Sequence, residues 1–200
     1  MRAFPAAMGK RILVVDGHPD PDPARLCHAL ASAYGEGARA AGHDVRKARI
    51  CDDAVSPVAS AAEFARAPTG AFILKLQEDV MWADHLVFVF PLFLGTMPAK
   101  LHAALEQMAR GGFVAEIDAK GWRPKLKGKS ARIVVTMGMP ALAYRTMFGA
   151  HGVRGLERSI LGFAGAGPIR ETLIGMAGDV SALRARTLFA RMRALGARAR

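Results

Sequence analysis

The stretch "RILVVDGHPDPDPARL", residues 11–26, decides the fold. Its first six residues form a short apolar and β-branched run, which predicts a strand buried on both faces and ended by Gly17. The polar turn formers that follow lead into an apolar helical repeat, with Asp22 as the predicted N-cap and Pro23 as the first helical residue. Gly42 is typical of a glycine that ends such a helix. A strand followed at once by an amphipathic helix is the building unit of a parallel α/β sheet.

The same unit recurs along the chain. Strands are predicted over residues 11–17, 44–50, 85–92, 130–138 and 168–176, and helices over 22–41, 71–84, 97–110, 153–165 and 179–200. The strand at 44–50 alternates in polarity, which favours a place near the sheet edge. Alternation of strands and helices indicates an α/β fold whose parallel sheet is covered on both faces. We expect a single domain over 1–200, with a tail at 1–9 and a long excursion at 113–129.

Length and composition restrict the class of protein. The chain has 200 residues, of which 52% are apolar, enough for one full hydrophobic core. No apolar run approaches the roughly 20 residues of a membrane span, so none is expected. The two cysteines, Cys27 and Cys51, form no metal-binding or disulfide framework. They favour reduced thiols and therefore a cytoplasmic location.

The formal charge of +11 raises the question of nucleic-acid binding. Six arginines lie in the last helical stretch, at positions 184, 186, 191, 193, 198 and 200. Part of this charge complements the C-terminal end of a helix, and no RNA-binding signature accompanies it. We therefore expect no nucleic-acid partner and a general attraction for anionic small molecules.

Three loops are candidates for function, because ligands of open α/β sheets bind at the carboxyl ends of the strands. The first loop follows strand one, where a glycine turn and a helix N-terminus favour an anion. His18 could donate a hydrogen bond to a phosphate oxygen there, and Arg25 could neutralise it. An ordinary βα turn, rich in turn formers, is the alternative.

The other two loops are apolar. "PLFLGTMPAKL", residues 91–101, can lay its backbone beside the edge of a flat heterocycle. "VTMGMPALAYRTMFGAHG", residues 135–152, offers close backbone approach at Gly138 and two polar groups, Tyr144 and His151. Plain core packing is the alternative for each loop. Together, a phosphate end, an aromatic slot and two polar groups suit a flavin.

These motifs resemble a known family. "GHP" at 17–19, the segments 91–101 and 136–152, and "LGFAGAGPIRETLIG" at 161–175 are similar to the flavodoxin-like NAD(P)H:quinone oxidoreductases. Relatives include the modulator-of-drug-activity type and the ancillary subunits of potassium-efflux systems, and the resemblance covers about residues 10–193. It implies a three-layer sandwich with a five-stranded parallel sheet in the order 2-1-3-4-5, a tightly bound flavin and a homodimer. It also implies a ping-pong transfer of two electrons from NAD(P)H through the flavin to a quinone.

The expected flavin contacts come from all three loops: His18, Arg25, Leu26, Pro91, Leu92, Phe93, Leu94, Thr136, Gly138 and Met139. The resemblance places Tyr144 and His151 near the pyrimidine edge of the ring, where negative charge develops on reduction. A single preorganised donor there can contribute about 3 kcal/mol, so both residues are predicted to be catalytic. Family members often carry Ser-Phe-Asn where this chain has Arg25, Leu26 and Cys27, and FAD and FMN both stay open.

Two other interpretations remain. The chain could be a regulatory or ancillary subunit that binds a flavin or nucleotide with little turnover of its own. It could also be a basic anion-binding or nucleic-acid-binding domain without redox chemistry. The role of the excursion at 113–129, either covering the site or serving a dimer, is also left open.

Overall fold

A computed structural model describes residues 9–119, 121–178 and 180–200. Of the predicted tail, all but Gly9 lies outside the described residues. The strands are β1 (Arg11–Asp16), β2 (Asp44–Arg49), β3 (His85–Pro91), β4 (Ala115–Asp118), β5 (Gly121–Pro124), β6 (Ser130–Thr136) and β7 (Ile169–Ile174). The helices are α1 (Leu26–Ala40), α2 (Ala61–Phe64), α3 (Ala71–Trp82), α4 (Ala99–Ala109), α5 (Ala141–Thr146), α6 (His151–Arg154) and α7 (Ala182–Ala197). Helix α6 continues as a π-helical segment, Gly155–Gly162.

Five strands form one parallel sheet in the order β2-β1-β3-β6-β7. The expected parallel sheet is therefore present. The numbering of the expected order differs, because the sequence analysis did not predict the antiparallel hairpin of β4 and β5. That hairpin takes two numbers in the chain and lies outside the main sheet.

Burial along the strands follows their place in the sheet. Strand β3 is central and buried over all seven residues, which agrees with a run that is hydrophobic on both faces. Strand β2 lies at an edge, as predicted, and most of its residues keep some exposure.

Helices cover both faces of the sheet. Apolar residues of one face, such as Val14 and Val87, pack with α1 and α7 in one cluster. The opposite face packs with α3, α4 and the segment that follows α6. Helices α1 and α7 approach very closely, because a Cβ at Gly37 would lie 2.1 Å from the carbonyl oxygen of Arg193. A Cβ at Gly196 would lie equally close to the carbonyl oxygen of Tyr34.

The start of α1 was predicted wrongly. The helix begins at Leu26, and Arg25 is its N-cap residue. Asp22 instead accepts the N–H of Ala24 on its carboxylate, at 3.0 Å, and the N–H of Arg25 on its carbonyl. These bonds make a turn ahead of the helix, so the loop after β1 is longer than expected. Gly42 follows the end of α1 with a φ of 83°, as a helix-ending glycine should.

Two segments contain more structure than predicted. The excursion after α4 holds the β4–β5 hairpin, whose Trp122 ring lies 5.6 Å from that of Phe163. The loop after β6 contains the short helix α5. Over the described ranges, none of the helices has the length and apolar character that crossing a bilayer requires.

Candidate functional site

A cleft of about 580 Å³ lies where the C-terminal ends of β1, β3 and β6 meet. Its volume is in the range of small-molecule sites, and it lies where the strand order reverses in doubly wound sheets. The predicted residues that line it are His18, Arg25, Leu26, Pro91, Leu92, Phe93, Thr136 and Gly138. The structure therefore brings together residues from all three predicted loops.

His18 presents one ring nitrogen to a ligand. Its Nδ1 lies 3.1 Å from the backbone nitrogen and 3.3 Å from the carbonyl oxygen of Asp20, and in the tautomer that accepts the shorter contact the proton of the neutral ring is on Nε2. Burial lowers the pKa of His18 from its usual value, which favours this neutral form at pH 7. In that tautomer, the Nε2–H of His18 is a hydrogen-bond donor beside the cleft.

Arg25 is paired within its own loop. Its guanidinium lies 2.7 Å from the carboxylate of Asp20 and 3.4 Å from that of Asp22. Asp20 and Asp22 belong to the same loop as Arg25, although they do not themselves line the cleft. The positive charge that Arg25 was expected to offer an anion is therefore balanced before any ligand binds.

The first turn of α1 offers backbone donors. The N–H groups of Leu26 and Cys27 have no acceptor within the described part of the chain, and Arg25 provides no side-chain cap. The first turn also carries no acidic residue. Unpaired N–H groups at the positive end of a helix dipole can bind an anionic or carbonyl oxygen. Leu26 thus offers the cleft a backbone N–H group, and the pattern of side chains in the sequence does not reveal such a donor.

The loop after β3 closes as a two-residue turn. Phe93 and Thr96 exchange backbone hydrogen bonds of 2.9 and 3.0 Å across Leu94 and Gly95. Both central residues have positive φ, 48° and 81°, the signature of a type I′ turn. Phe93 lines the cleft with its ring 6.5 Å from that of His18, whereas Leu94 borders a neighbouring apolar groove and is fully exposed.

The loop after β6 supplies the third wall. The hydroxyl of Thr136 lies 3.3 Å from Sγ of Cys27, which ties the end of β6 to the first turn of α1. At Gly138, an added Cβ would meet no described atom within 4 Å, so the backbone faces open space. Met139 packs against the core and does not line the cleft.

Tyr144 and His151 do not line the cleft either. Tyr144 is buried, and its hydroxyl donates to the carbonyl oxygen of Gly95 at 2.9 Å. His151 is exposed, and its ring lies against Gly149, where a Cβ would be 2.7 Å from Nε2. The catalytic role of both residues stays a prediction.

Sequence reasoning missed the side of the cleft formed by the β7–α7 connection. This side is lined by Ala177, Gly178 and Val180 of the connection and by Ala185 and Phe189 of α7. Further lining residues lie beside the predicted ones, at Ala24, Cys27, Ala29 and Met137. Most are small or apolar and carry no chemical signal. The sheet order could have indicated them, because β7 lies beside β6 and its C-terminal end faces the same edge. Gly178, like Gly138, has open space where a Cβ would project.

The fold and the cleft define a doubly wound α/β protein with a cleft at the carboxyl ends of its strands. The chain belongs to the family described as having a flavodoxin-like fold, whose match covers residues 10–195.

The chain is similar to curated relatives and to many solved structures. A ribosyldihydronicotinamide dehydrogenase-like protein of Penicillium crustosum is 31% identical over 111 residues, which are 52% of this chain and 40% of the relative. An FMN-dependent NADH:quinone oxidoreductase of Nostoc punctiforme is 29% identical over 96 residues, 42% of this chain and 47% of the relative. Each match spans less than half of the relative's length. The crystal structure of Smu.1420 from Streptococcus mutans superposes with a TM-score of 0.78 at 23% identity, covering 94% of this chain and 98% of that one.

Proposed function

We propose that the chain is a flavin-dependent NAD(P)H:quinone oxidoreductase, an NAD(P)H dehydrogenase (quinone). The observation that carries this proposal is the cleft at the ends of β1, β3 and β6, with an aromatic wall at Phe93 and open backbone at Gly138. The name of the Nostoc relative, an FMN-dependent NADH:quinone oxidoreductase, supports the same activity. The name of the Penicillium relative, a ribosyldihydronicotinamide dehydrogenase-like protein, supports redox chemistry on a nicotinamide compound.

The residues present fit a flavin. Gly138 and Gly178 both line the cleft and leave the space that a Cβ would fill, as a flat ring system requires. Phe93 and Leu92 supply apolar contacts for such a ring. When bound, a flavin supplies the two-electron redox chemistry that joins a nicotinamide donor to a quinone acceptor.

The polar end of the cleft favours a cofactor with one phosphate group. His18 offers Nε2–H, and Leu26 and Cys27 offer two backbone N–H groups. These three donors match the three free oxygens of one phosphomonoester group. We therefore infer FMN rather than FAD, which agrees with the name of the Nostoc relative.

The two substrates would use the same apolar face in turn, a ping-pong order. Phe93 is half exposed at the mouth of the cleft and can pack on either a nicotinamide or a quinone ring.

A homodimer is part of the proposal. Large apolar side chains are exposed on the loops that border the cleft, among them Phe93, Leu94, Leu142, Met147 and Phe148. Exposed apolar surface of this extent marks an interaction site.

Both cysteines are unpaired, which supports the reducing cytoplasm as the location.

The experiment is purification followed by flavin analysis and a two-stage reaction. We expect yellow protein that releases FMN on denaturation, as identified by mass spectrometry. Stopped-flow mixing with NADH or NADPH should bleach the protein, and a benzoquinone should restore the colour. Protein that binds no flavin at micromolar concentration contradicts the proposal. Flavin binding without bleaching or turnover instead supports the ancillary-subunit alternative.

A further inference from the structure

The hydroxyl of Tyr144 is hydrogen-bonded within the protein, both as a donor and as an acceptor. It donates to the carbonyl oxygen of Gly95 at 2.9 Å and accepts the backbone N–H of Val153 at 3.4 Å. A phenol has one proton to donate, so this arrangement leaves none for a ligand. Burial raises the pKa of Tyr144, which keeps the phenol protonated at neutral pH.

The acceptor of this bond belongs to the turn that forms the aromatic wall of the cleft. Gly95 is the second central residue of the Phe93–Thr96 turn, and its neighbour Leu94 is a non-glycine residue with a φ of 48°. A left-handed leucine is disfavoured, so this turn needs support from outside itself. The bond from Tyr144 reaches the turn from 49 residues further along the chain and supplies that support.

A second contact holds the same two segments together. A Cβ at Gly152 would lie 2.2 Å from the carbonyl oxygen of Gly95 and 2.5 Å from Cα of Thr96. The backbone of α6 therefore packs directly on the turn. The N–H of Ala150 also donates to the carbonyl of Tyr144 at 3.1 Å, which fixes α6 relative to α5.

We propose that Tyr144 is a positioning residue, which fastens the Phe93–Thr96 turn to α6 and thereby fixes the aromatic wall of the flavin cleft. Tyr144 acts on the cofactor through Gly95 and Phe93, and its phenol is not a hydrogen-bond donor to the flavin. This inference rests on the proposed function for its consequences on flavin binding. Its structural part, the fastening of the turn, can be measured without a flavin.

Two variants and one control test the inference. Tyr144→Phe removes the hydroxyl and keeps the ring, whereas Gly152→Ala keeps the phenol and forces the backbone of α6 away from Gly95. Gly155→Ala is the control, because a Cβ there, three residues further along, meets no described atom within 4 Å.

The expected result is the same defect in both variants. The dissociation constant for FMN, measured by equilibrium dialysis of the loaded protein, should rise about tenfold, which corresponds to the loss of one buried hydrogen bond. The midpoint potential of the bound flavin should stay at the wild-type value, because no donor to the ring is removed. Gly155→Ala should match wild type in both measurements.

Three outcomes separate the possibilities. Tyr144→Phe protein that binds FMN as tightly as wild type but has an altered potential and slower reduction by NAD(P)H overturns the inference, because the phenol then acts on the flavin. Amide hydrogen exchange at Thr96, measured without flavin, should be about tenfold faster in Tyr144→Phe, and unchanged exchange also overturns it. Wild-type protein that binds no flavin contradicts the proposed function alone, since the exchange measurement still decides the fastening.

Discussion

The carboxylate of Asp16 lies 2.7 Å from Nδ1 of His28, and both side chains are buried beneath the loop that follows β1. The other ring nitrogen of His28 is 2.9 Å from the carbonyl oxygen of Asp20. His28 therefore connects the end of β1 to the residue whose N–H orients His18. Lys47 approaches the same carboxylate oxygen at 3.4 Å, and Oδ1 of Asp16 has no partner within the described residues.

We predict that His28→Leu lowers the free energy of unfolding by about 3 kcal/mol, because it leaves a carboxylate buried without its hydrogen-bonded partner. Urea denaturation at pH 7 measures the loss. Arg193→Ala is the control, since it breaks the exposed pair with Glu36 and should cost less than about 1 kcal/mol. The double variant Asp16→Leu, His28→Leu should be more stable than His28→Leu alone. Equal losses in His28→Leu and Arg193→Ala contradict this account.

His85 makes the fold sensitive to acid. The ring is buried and hydrogen-bonded to Ser130 at 2.8 Å and to Tyr34 at 3.0 Å. Burial lowers the pKa of His85 to about 3, whereas the unfolded chain titrates near the ordinary value of about 6.5. The unfolded state thus binds a proton that the folded state does not bind. The contribution of His85 to the free energy of unfolding is therefore complete above about pH 6.5 and falls as the pH drops from there towards 3.

The corresponding prediction is a loss of about 2 kcal/mol from this residue between pH 7 and pH 5. His85→Gln should remove that part of the pH dependence, whatever its stability at pH 7. His102→Gln, at a half-exposed position on α4, should retain the wild-type slope. Urea denaturation at both pH values measures how the free energy of unfolding changes with pH in each variant. If His85→Gln shows the same change as wild type, the proton is bound by another group.

Leu94 occupies a position that suits asparagine. The turn at Leu94-Gly95 needs positive φ at both residues, and Asn-Gly is the preferred pair for this type of turn. We expect Leu94→Asn to raise the free energy of unfolding of the monomer by about 1 kcal/mol. If the exposed leucine serves a dimer interface, sedimentation should show weaker association of the same variant.

The control for Leu94 is Leu183→Asn, an exposed leucine within α7. Backbone strain is absent there, so no gain in stability is expected. A gain of similar size in both variants would indicate a general effect of removing surface leucine rather than relief of strain in the turn.

Gly138 provides a test of the cleft itself. Gly138→Val places a branched side chain where the backbone now faces open space, and we expect the dissociation constant for FMN to rise at least about tenfold. Gly70→Val is the matched control, because the position before α3 is equally open but does not line the cleft. Thermal unfolding should confirm that both variants fold. Flavin affinity reduced equally in both would argue against a ring over Gly138.

Local sequence pattern was enough to predict the sheet and the edge at which the cleft lies. Strands such as β1 and β3 are apolar on both faces and end in glycine or proline, and this information lies within a few residues. Since parallel strands share one carboxyl edge, His18, Phe93 and Gly138 could be expected to meet. The hairpin Ala115–Pro124 could not be predicted, because its short strands lack a clear alternating pattern.

The sequence by itself therefore determined the α/β architecture, the sheet edge at which the cleft lies and most of the loops around it, because hydrophobic period and turn chemistry are local properties. Only the tertiary structure decided which polar groups remain available at that edge. Arg25 is neutralised by two aspartates of its own loop, and Tyr144 donates to Gly95, 49 residues away. A hydrogen-bond donor has a limited number of protons, and packing between distant segments determines which acceptor receives each one.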